Sequence, residues 1–210
     1  MEEYSSRVLE KVKNLVDSGE DSPTEFEVIT AIAFLFFKEK NADFVVLEVG
    51  LGGRGDSTNV IKEPMASVIA SISYDHTDRL GNTLTEIAGE KAGIIKRGCP
   101  VITSAAAKEA LDVFRKKADE NGCKYFETRD VCYTITKQDI SCTEFIINNN
   151  KFMLTMLGKH QVENAICAIK TLHILREEGK IKITDKEIVK CSRLRTLRSL
   201  RLCMTLSFWL

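Results

Sequence analysis

The order of elements predicts an α/β fold, a doubly wound and mostly parallel sheet with a small antiparallel β patch appended. Three observations carry this reading. Short apolar runs that suit strands covered on both faces alternate with helical stripes as far as Gly122, the pattern from Lys124 to Met156 turns to strands without helices, and a helical stripe returns after Gly158. The 210 residues, 44% hydrophobic and 29% charged, are enough for one ordinary domain with a proper core. That composition excludes disorder, collagen and coiled coil.

Glu2 to Val16 places Val8, Val12, Leu15 and Val16 at helical spacing among charges and stops at Gly19, which predicts a surface helix. Ser22-Pro23-Thr24-Glu25 offers an N-cap serine, proline at the first helical position and a carboxylate in the first turn. The strongly apolar Phe26 to Phe37 that follows is expected to be buried. Asp43 to Val49 and Ala66 to Ile72 are short apolar runs of the kind buried in parallel sheets. Thr83-Leu84-Thr85-Glu86 is a capping box opening a helix through about Ile95, and Pro100 to Thr103 is a further strand. Lys108 to Asn121 reads as a helix closed by Gly122. Asn148-Asn149-Asn150 marks a hairpin turn within the antiparallel region. Val162 to Leu175 is helical, and Thr184 opens a short helix reaching Lys190. Cys191 to Leu210 holds four arginines and six leucines with no acidic residue, a composition foreign to the rest and such as a shifted reading frame produces. Its arginines fit either an anion-binding helical face or a solvated one.

Thirty Lys+Arg against thirty Asp+Glu leave no global field to draw the chain onto nucleic acid or anionic membrane. No run reaches the roughly 18 apolar residues of a membrane span, and Met1 to Glu10 is acidic where a signal peptide is basic and then apolar. The chain therefore reads as cytoplasmic. Its seven cysteines contain no C-x-x-C, so reduced and mostly buried thiols are expected rather than a disulfide framework or zinc knuckle.

The densest chemical signal is Leu47-Glu48-Val49-Gly50-Leu51-Gly52-Gly53-Arg54-Gly55-Asp56-Ser57-Thr58-Asn59. A carboxylate at the end of a buried strand, followed by glycines, sits where open α/β sheets bind ligands, so Glu48 is a candidate metal ligand. A solvated strand-end glutamate explains it equally well. The glycines match neither the dinucleotide fingerprint nor a Walker A loop, because no Gly-Lys-Ser or Gly-Lys-Thr occurs in the chain. Asp56 and Asn59 suit support of a metal site, and more commonly form Asx turns. Ser73-Tyr74-Asp75-His76-Thr77-Asp78 follows the second strand, which would turn His76 toward the same crevice as Glu48. An imidazole and a carboxylate there could share a divalent ion with nucleotide phosphates, although a lone histidine is more often structural. Lys91, among small residues in Gly89-Glu90-Lys91-Ala92-Gly93, is either a desolvated reactive amine or, more commonly, a surface lysine. His160, Gln161 and Asn164 open the last long helix, where amides cap the helix or meet a nucleobase edge.

Taken together, these stretches resemble the folylpolyglutamate synthase and dihydrofolate synthase family of the Mur ligase superfamily. The carriers are Phe26 to Ala31, Leu47 to Asn59, Asp75-His76-Thr77, Glu90 to Lys96, and Gly158 to Gln161 with Asn164-Ala165. The resemblance implies a Mur-ligase-like central ATPase domain in which Glu48 and His76 bind Mg²⁺ that holds ATP. It also implies that Lys91 is carbamylated to support a metal, and that Gln161, with Asn164 and His160 nearby, approaches adenine. Asp56, Asn59 and Asp75 would stand behind these groups. The implied reaction is ATP-dependent joining of L-glutamate to folate or dihydropteroate through an acyl phosphate.

On this resemblance residues 1–190 correspond to a partial ATP-binding domain lacking its P-loop and 191–210 to an atypical tail. We expect a ligase inactive by itself, with no nucleic-acid or membrane partner. Family members are usually monomeric, and the truncation favours association through exposed apolar surface. The alternative is a non-catalytic remnant that binds metal or nucleotide weakly. A metal-dependent hydrolase built on Glu48, Asp75 and His76 would lack the fuller ligand set such sites use.

Overall fold

The computed structural model describes residues 2–156 and 158–192. The Arg- and Leu-rich tail from residue 193 onward, and with it most of the expected segment change at Cys191, lies outside the described residues. The chain divides into two compact units, one built from residues 2–51 and 56–60 and the other from 52–55 and the described residues after 60.

The first unit is a helical hairpin followed by a segment without regular secondary structure. Helix α1 (Glu2–Asp17) packs on α2 (Glu25–Glu39), with the Tyr4 ring edge-on to Phe36 at 5.6 Å and Arg7 paired with Glu39. The N-cap of α2 is Thr24, not Ser22. Thr24 N–H donates to the Glu27 carboxylate at 2.7 Å and Glu27 N–H donates back to Thr24 Oγ1 at 3.3 Å, a reciprocal box that satisfies two helix-end donors at once. The Ser22 hydroxyl reaches only the Pro23 carbonyl. Nor is α2 buried as its composition suggests: Thr30 is its one buried residue, and Phe26 and Ile29 are 42% and 53% exposed. The expected strand Asp43–Val49 is also absent. Residues 44–49 carry no regular secondary structure: among the described residues no strand hydrogen-bonds to them, and a strand exists only through its ladder.

The second unit contains the parallel sheet, in the order β1 (Ser67–Ile69), β2 (Val101–Thr103), β3 (Tyr125–Glu127). Strand β1 is shorter than the predicted Ala66–Ile72. β3, expected in the antiparallel region, instead pairs parallel with β2, Val101 facing Tyr125. It follows α5 (Lys108–Glu120) at the spacing of a βαβ crossover, so the helix returns the chain to the same sheet. Alternate residues of β2 feed opposite cores. Val101 joins Ile69 with Ala88, Ala92 and Phe114 on the side of α4 (Leu84–Lys91) and α5, whereas Ile102 packs with Cys167 and Ile174 of α6 (Lys159–Glu177). Helices thus cover both faces of the sheet.

A three-stranded antiparallel sheet, β4 (Thr134–Gln138), β5 (Thr143–Ile147) and β6 (Asn150–Leu154), forms the appended patch. The turn between β5 and β6 consists of Asn148 and Asn149, both with positive φ (47° and 64°), the primed geometry that matches strand twist and that asparagine tolerates. A short helix, α3 (Thr77–Leu80), precedes α4, and α7 (Asp185–Ser192) starts at Thr184, whose hydroxyl and N–H both bond to Glu187. No helix among the described residues is long and apolar enough to cross a membrane.

Candidate functional site

In the first unit the loop after residues 44–49 is organised by Asp56. Its Oδ2 accepts the N–H groups of Gly50 (2.9 Å) and Leu51 (3.0 Å), and its Oδ1 accepts the N–H (2.9 Å) and hydroxyl (2.6 Å) of Thr58. These four bonds make Asp56 a loop clasp, in keeping with the turn-forming role open to it. Asn59 follows in a 3₁₀ turn, its N–H bonded to Asp56 O at 2.9 Å. Glu48 is exposed and lines an open depression with Phe26, Ile29, Thr30, Ala33 and Phe34. It does not stand at the end of a laddered strand.

In the second unit residues 52–54 lie against the C-terminal end of α4. A Cβ on Gly53 would stand 2.9 Å from Ile94 Cγ2 and 3.0 Å from Glu90 O, and one on Gly93 would stand 2.4 Å from the Arg54 Cα. Only glycine permits this approach of two backbones. Arg54 N–H donates to Glu90 O at 3.0 Å, and its guanidinium reaches Gly89 O at 3.2 Å and the Glu90 carboxylate at 3.3 Å.

Lys91 is the last residue of α4, and the 3₁₀ turn Ala92–Ile94 carries the chain away from it. The residue is half-buried rather than a solvated surface lysine. Burial pushes its amine below the ordinary lysine value, and the negative charge of Asp75 partly offsets that. Asp75 also accepts His76 N–H at 2.8 Å, and its other oxygen lies 3.7 Å from His76 Nε2. His76 has φ 48° and ψ 41°, the left-handed region, and precedes α3 without capping it. For a non-glycine residue this conformation costs of order 1 kcal/mol or more, and such outliers concentrate at functional sites. The structure therefore gathers Asp75, His76 and Lys91 in one unit, while Glu48, Asp56 and Asn59 belong to the other.

His160, Gln161 and Asn164 occupy the first turns of α6. The N-cap is Gly158 at φ 108°, with no side-chain cap, and Gln161 N–H bonds to Gly158 O at 3.1 Å. The His160 ring lies over Gly158, where a Cβ would approach it to 2.5 Å, and Asn164 is buried. None of the three side chains caps the helix.

Among the described residues no three His, Cys, Asp or Glu side chains gather as a protein-only metal cage requires. Mg²⁺ needs no such cage, since it keeps most of its waters and takes one or two protein ligands beside substrate phosphates. In the second unit the Asp75 carboxylate and the His76 imidazole, and in the first the exposed Glu48 carboxylate, are each donors of the type such an ion takes. Sequence reasoning passed over Arg54, whose role shows only in its contacts; the paired glycines Gly53 and Gly93 were the available signal.

The Mur ligase middle domain model matches residues 3–172. The dihydrofolate synthase/folylpolyglutamate synthase of Bacillus subtilis is 42% identical over 173 residues, covering 79% of this chain and 40% of that enzyme. Among solved structures, a mutant of L. casei folylpolyglutamate synthase (FPGS) superposes with TM-score 0.79 at 30% identity, covering 90% of this chain and 48% of that one. An FPGS–AMPPCP–folate complex gives TM-score 0.75 at 30% identity, covering 86% and 45%. The chain spans less than half the length of these relatives. With the βαβ sheet, the glycine-mediated contact at Lys91 and the strained His76 in place, the chain belongs to the Mur ligase middle-domain family, in its folylpolyglutamate synthase and dihydrofolate synthase branch.

Proposed function

We propose that this chain is the nucleotide- and metal-handling part of an ATP-dependent ligase that joins L-glutamate to folate or dihydropteroate. The observation that carries the proposal is the half-buried position of Lys91 at the end of α4, in the same unit as the strained His76 and its partner Asp75, within a chain of this family. In the reaction, the folate or pteroate carboxylate takes the γ-phosphoryl group of ATP to become an acyl phosphate. The glutamate amine then attacks that carbonyl carbon, and phosphate leaves.

Magnesium, when bound, supplies charge neutralisation between the triphosphate and the incoming carboxylate. Glu48 in the first unit and His76 in the second are each proposed as a magnesium ligand. Asp75 fixes the backbone N–H of His76 and faces its imidazole, which steadies the ring. Lys91 presents an amine that burial biases toward its neutral, carbon-dioxide-accepting form, and the resulting carbamate replaces a cation that would repel the metal with a carboxylate. At the adenine end, Gln161 and Asn164 offer amides at the start of α6, beside His160. The frayed N–H groups of this helix start carry the positive end of its dipole.

No Gly-Lys-Ser or Gly-Lys-Thr occurs in the 210 residues, so the proposal includes weak ATP binding and no turnover. Calorimetric titration with AMPPCP and Mg²⁺ tests it. We expect Mg²⁺-dependent binding that Glu48→Ala or His76→Ala reduces at least tenfold, about 1.4 kcal/mol. Binding that neither substitution affects overturns the assignment of the site. ADP release that depends on both a folate and glutamate overturns the assignment of an inactive chain.

A further inference from the structure

Arg54 touches α4 and the turn after it on both sides of Lys91. On the N-terminal side its backbone N–H is bonded to Glu90 O at 3.0 Å, its Nη2 to Gly89 O at 3.2 Å, and its Nε stands 3.3 Å from the Glu90 carboxylate. On the C-terminal side its Cα lies against Gly93, so closely that a Cβ there would approach to 2.4 Å. The last carbonyls of a helix lack helical donors and carry the negative end of its dipole, so a guanidinium placed there satisfies both deficits. Lys91 is thus the residue bracketed by these contacts, and Gly53 closes the same strip, since a Cβ there would stand 3.0 Å from Glu90 O and 3.1 Å from Lys91 O.

We propose that Arg54 is a positioning residue for Lys91: its backbone and guanidinium clasp the final turn of α4 so that the Lys91 amine stays half-buried, where it attacks carbon dioxide. In that step the nitrogen lone pair forms the N–C bond, one C=O electron pair moves onto oxygen as the carboxylate, and the displaced amine proton passes to water. Nothing is oxidised or reduced. The inference rests on the reading of Lys91 given above, and the experiment separates the two.

The chain is equilibrated with ¹³C-bicarbonate, and the carbamate resonance is compared in the unsubstituted protein, Lys91→Arg, Arg54→Ala and Arg54→Lys. Amide hydrogen exchange is followed in parallel at Lys91, Ala92 and Gly93. We expect a resonance that Lys91→Arg abolishes and that Arg54→Ala, still folded, lowers about fivefold or more, because a loosened support misplaces the reacting group. Arg54→Lys, which keeps a cation but not the fork, recovers part of it. The turn amides in Arg54→Ala are expected to exchange about tenfold faster while those of the parallel sheet are unchanged. A full carbamate signal in folded Arg54→Ala overturns the proposal. Absence of the resonance from the unsubstituted chain overturns the carbamate reading instead. In that case the exchange decides the clasp alone, with unchanged turn amides overturning it. If Arg54→Ala does not fold, Arg54→Lys and Arg54→Met carry the same comparison.

Discussion

A methyl group on Gly93 would stand 2.4 Å from the Arg54 Cα and 2.7 Å from its nitrogen, both backbone atoms that cannot swing aside. At Gly89, four residues earlier and inside α4, an added Cβ meets nothing within 4 Å. The two glycines therefore answer oppositely to one substitution. Gly93→Ala is expected to destabilise the second unit by about 1–3 kcal/mol, as overpacking does. Gly89→Ala should stabilise it by about 0.5–1 kcal/mol, since alanine has the better helix propensity. Urea unfolding followed by circular dichroism checks both, and equal effects of the same sign would contradict the close approach. From the sequence the two positions read alike, as small residues around Lys91; which one touches another backbone is a tertiary fact. His76 repeats the lesson. Its place after an apolar run marked it as a candidate, whereas its left-handed backbone and its contact with Asp75 had no sequence signal.

Three helices begin with the same element, a threonine followed three residues later by glutamate: Thr24 with Glu27, Thr83 with Glu86, Thr184 with Glu187. In each the carboxylate accepts bonds that hold it below the ordinary glutamate range. For Glu27 and Glu187 the largest cause is the backbone N–H of the threonine, and for Glu86 it is the Thr83 hydroxyl. Because the folded carboxylates titrate below the unfolded value of about 4.3, the unfolded chain takes up more protons in acid. Their stabilisation is complete above that value and is lost as pH falls through the lower folded pKa values. Melting temperatures between pH 6 and pH 3 should therefore fall less steeply in a variant carrying Glu27→Gln, Glu86→Gln and Glu187→Gln, which titrates at none of these sites. Parallel curves would exclude the mechanism. The box at Thr83 was legible because an apolar helical pattern followed it. The one at Thr24 was masked by Ser22-Pro23, an equally orthodox start, and only the reciprocal bonds decided between them. The Asn148-Asn149 turn was legible too, because local φ preference alone determines it.

At the scale of the molecule, the first unit keeps Phe26, Ile29, Val45 and Val46 between 38% and 53% exposed, in or near residues 44–49, which have no strand partner among the described residues. Exposed apolar surface favours association. We expect sedimentation to show concentration-dependent oligomers that Ile29→Lys with Val46→Lys largely disperses. A monomer at all concentrations would contradict this. The sequence by itself determined the α/β class, the helices and the composition of the loops, because periodicity, capping pairs and turn residues act over a few neighbours. It also supplied the family through ordered motifs. It did not determine that residues 44–49 would lack a ladder among the described residues, that Tyr125–Glu127 would join the parallel sheet, or that Arg54 would grip the end of α4. Those depend on which distant segment supplies a hydrogen-bond partner or a packing surface, and apolar character alone does not encode the partner. Tertiary structure decided them because a strand is completed by its neighbour and a half-buried amine by whatever excludes its water.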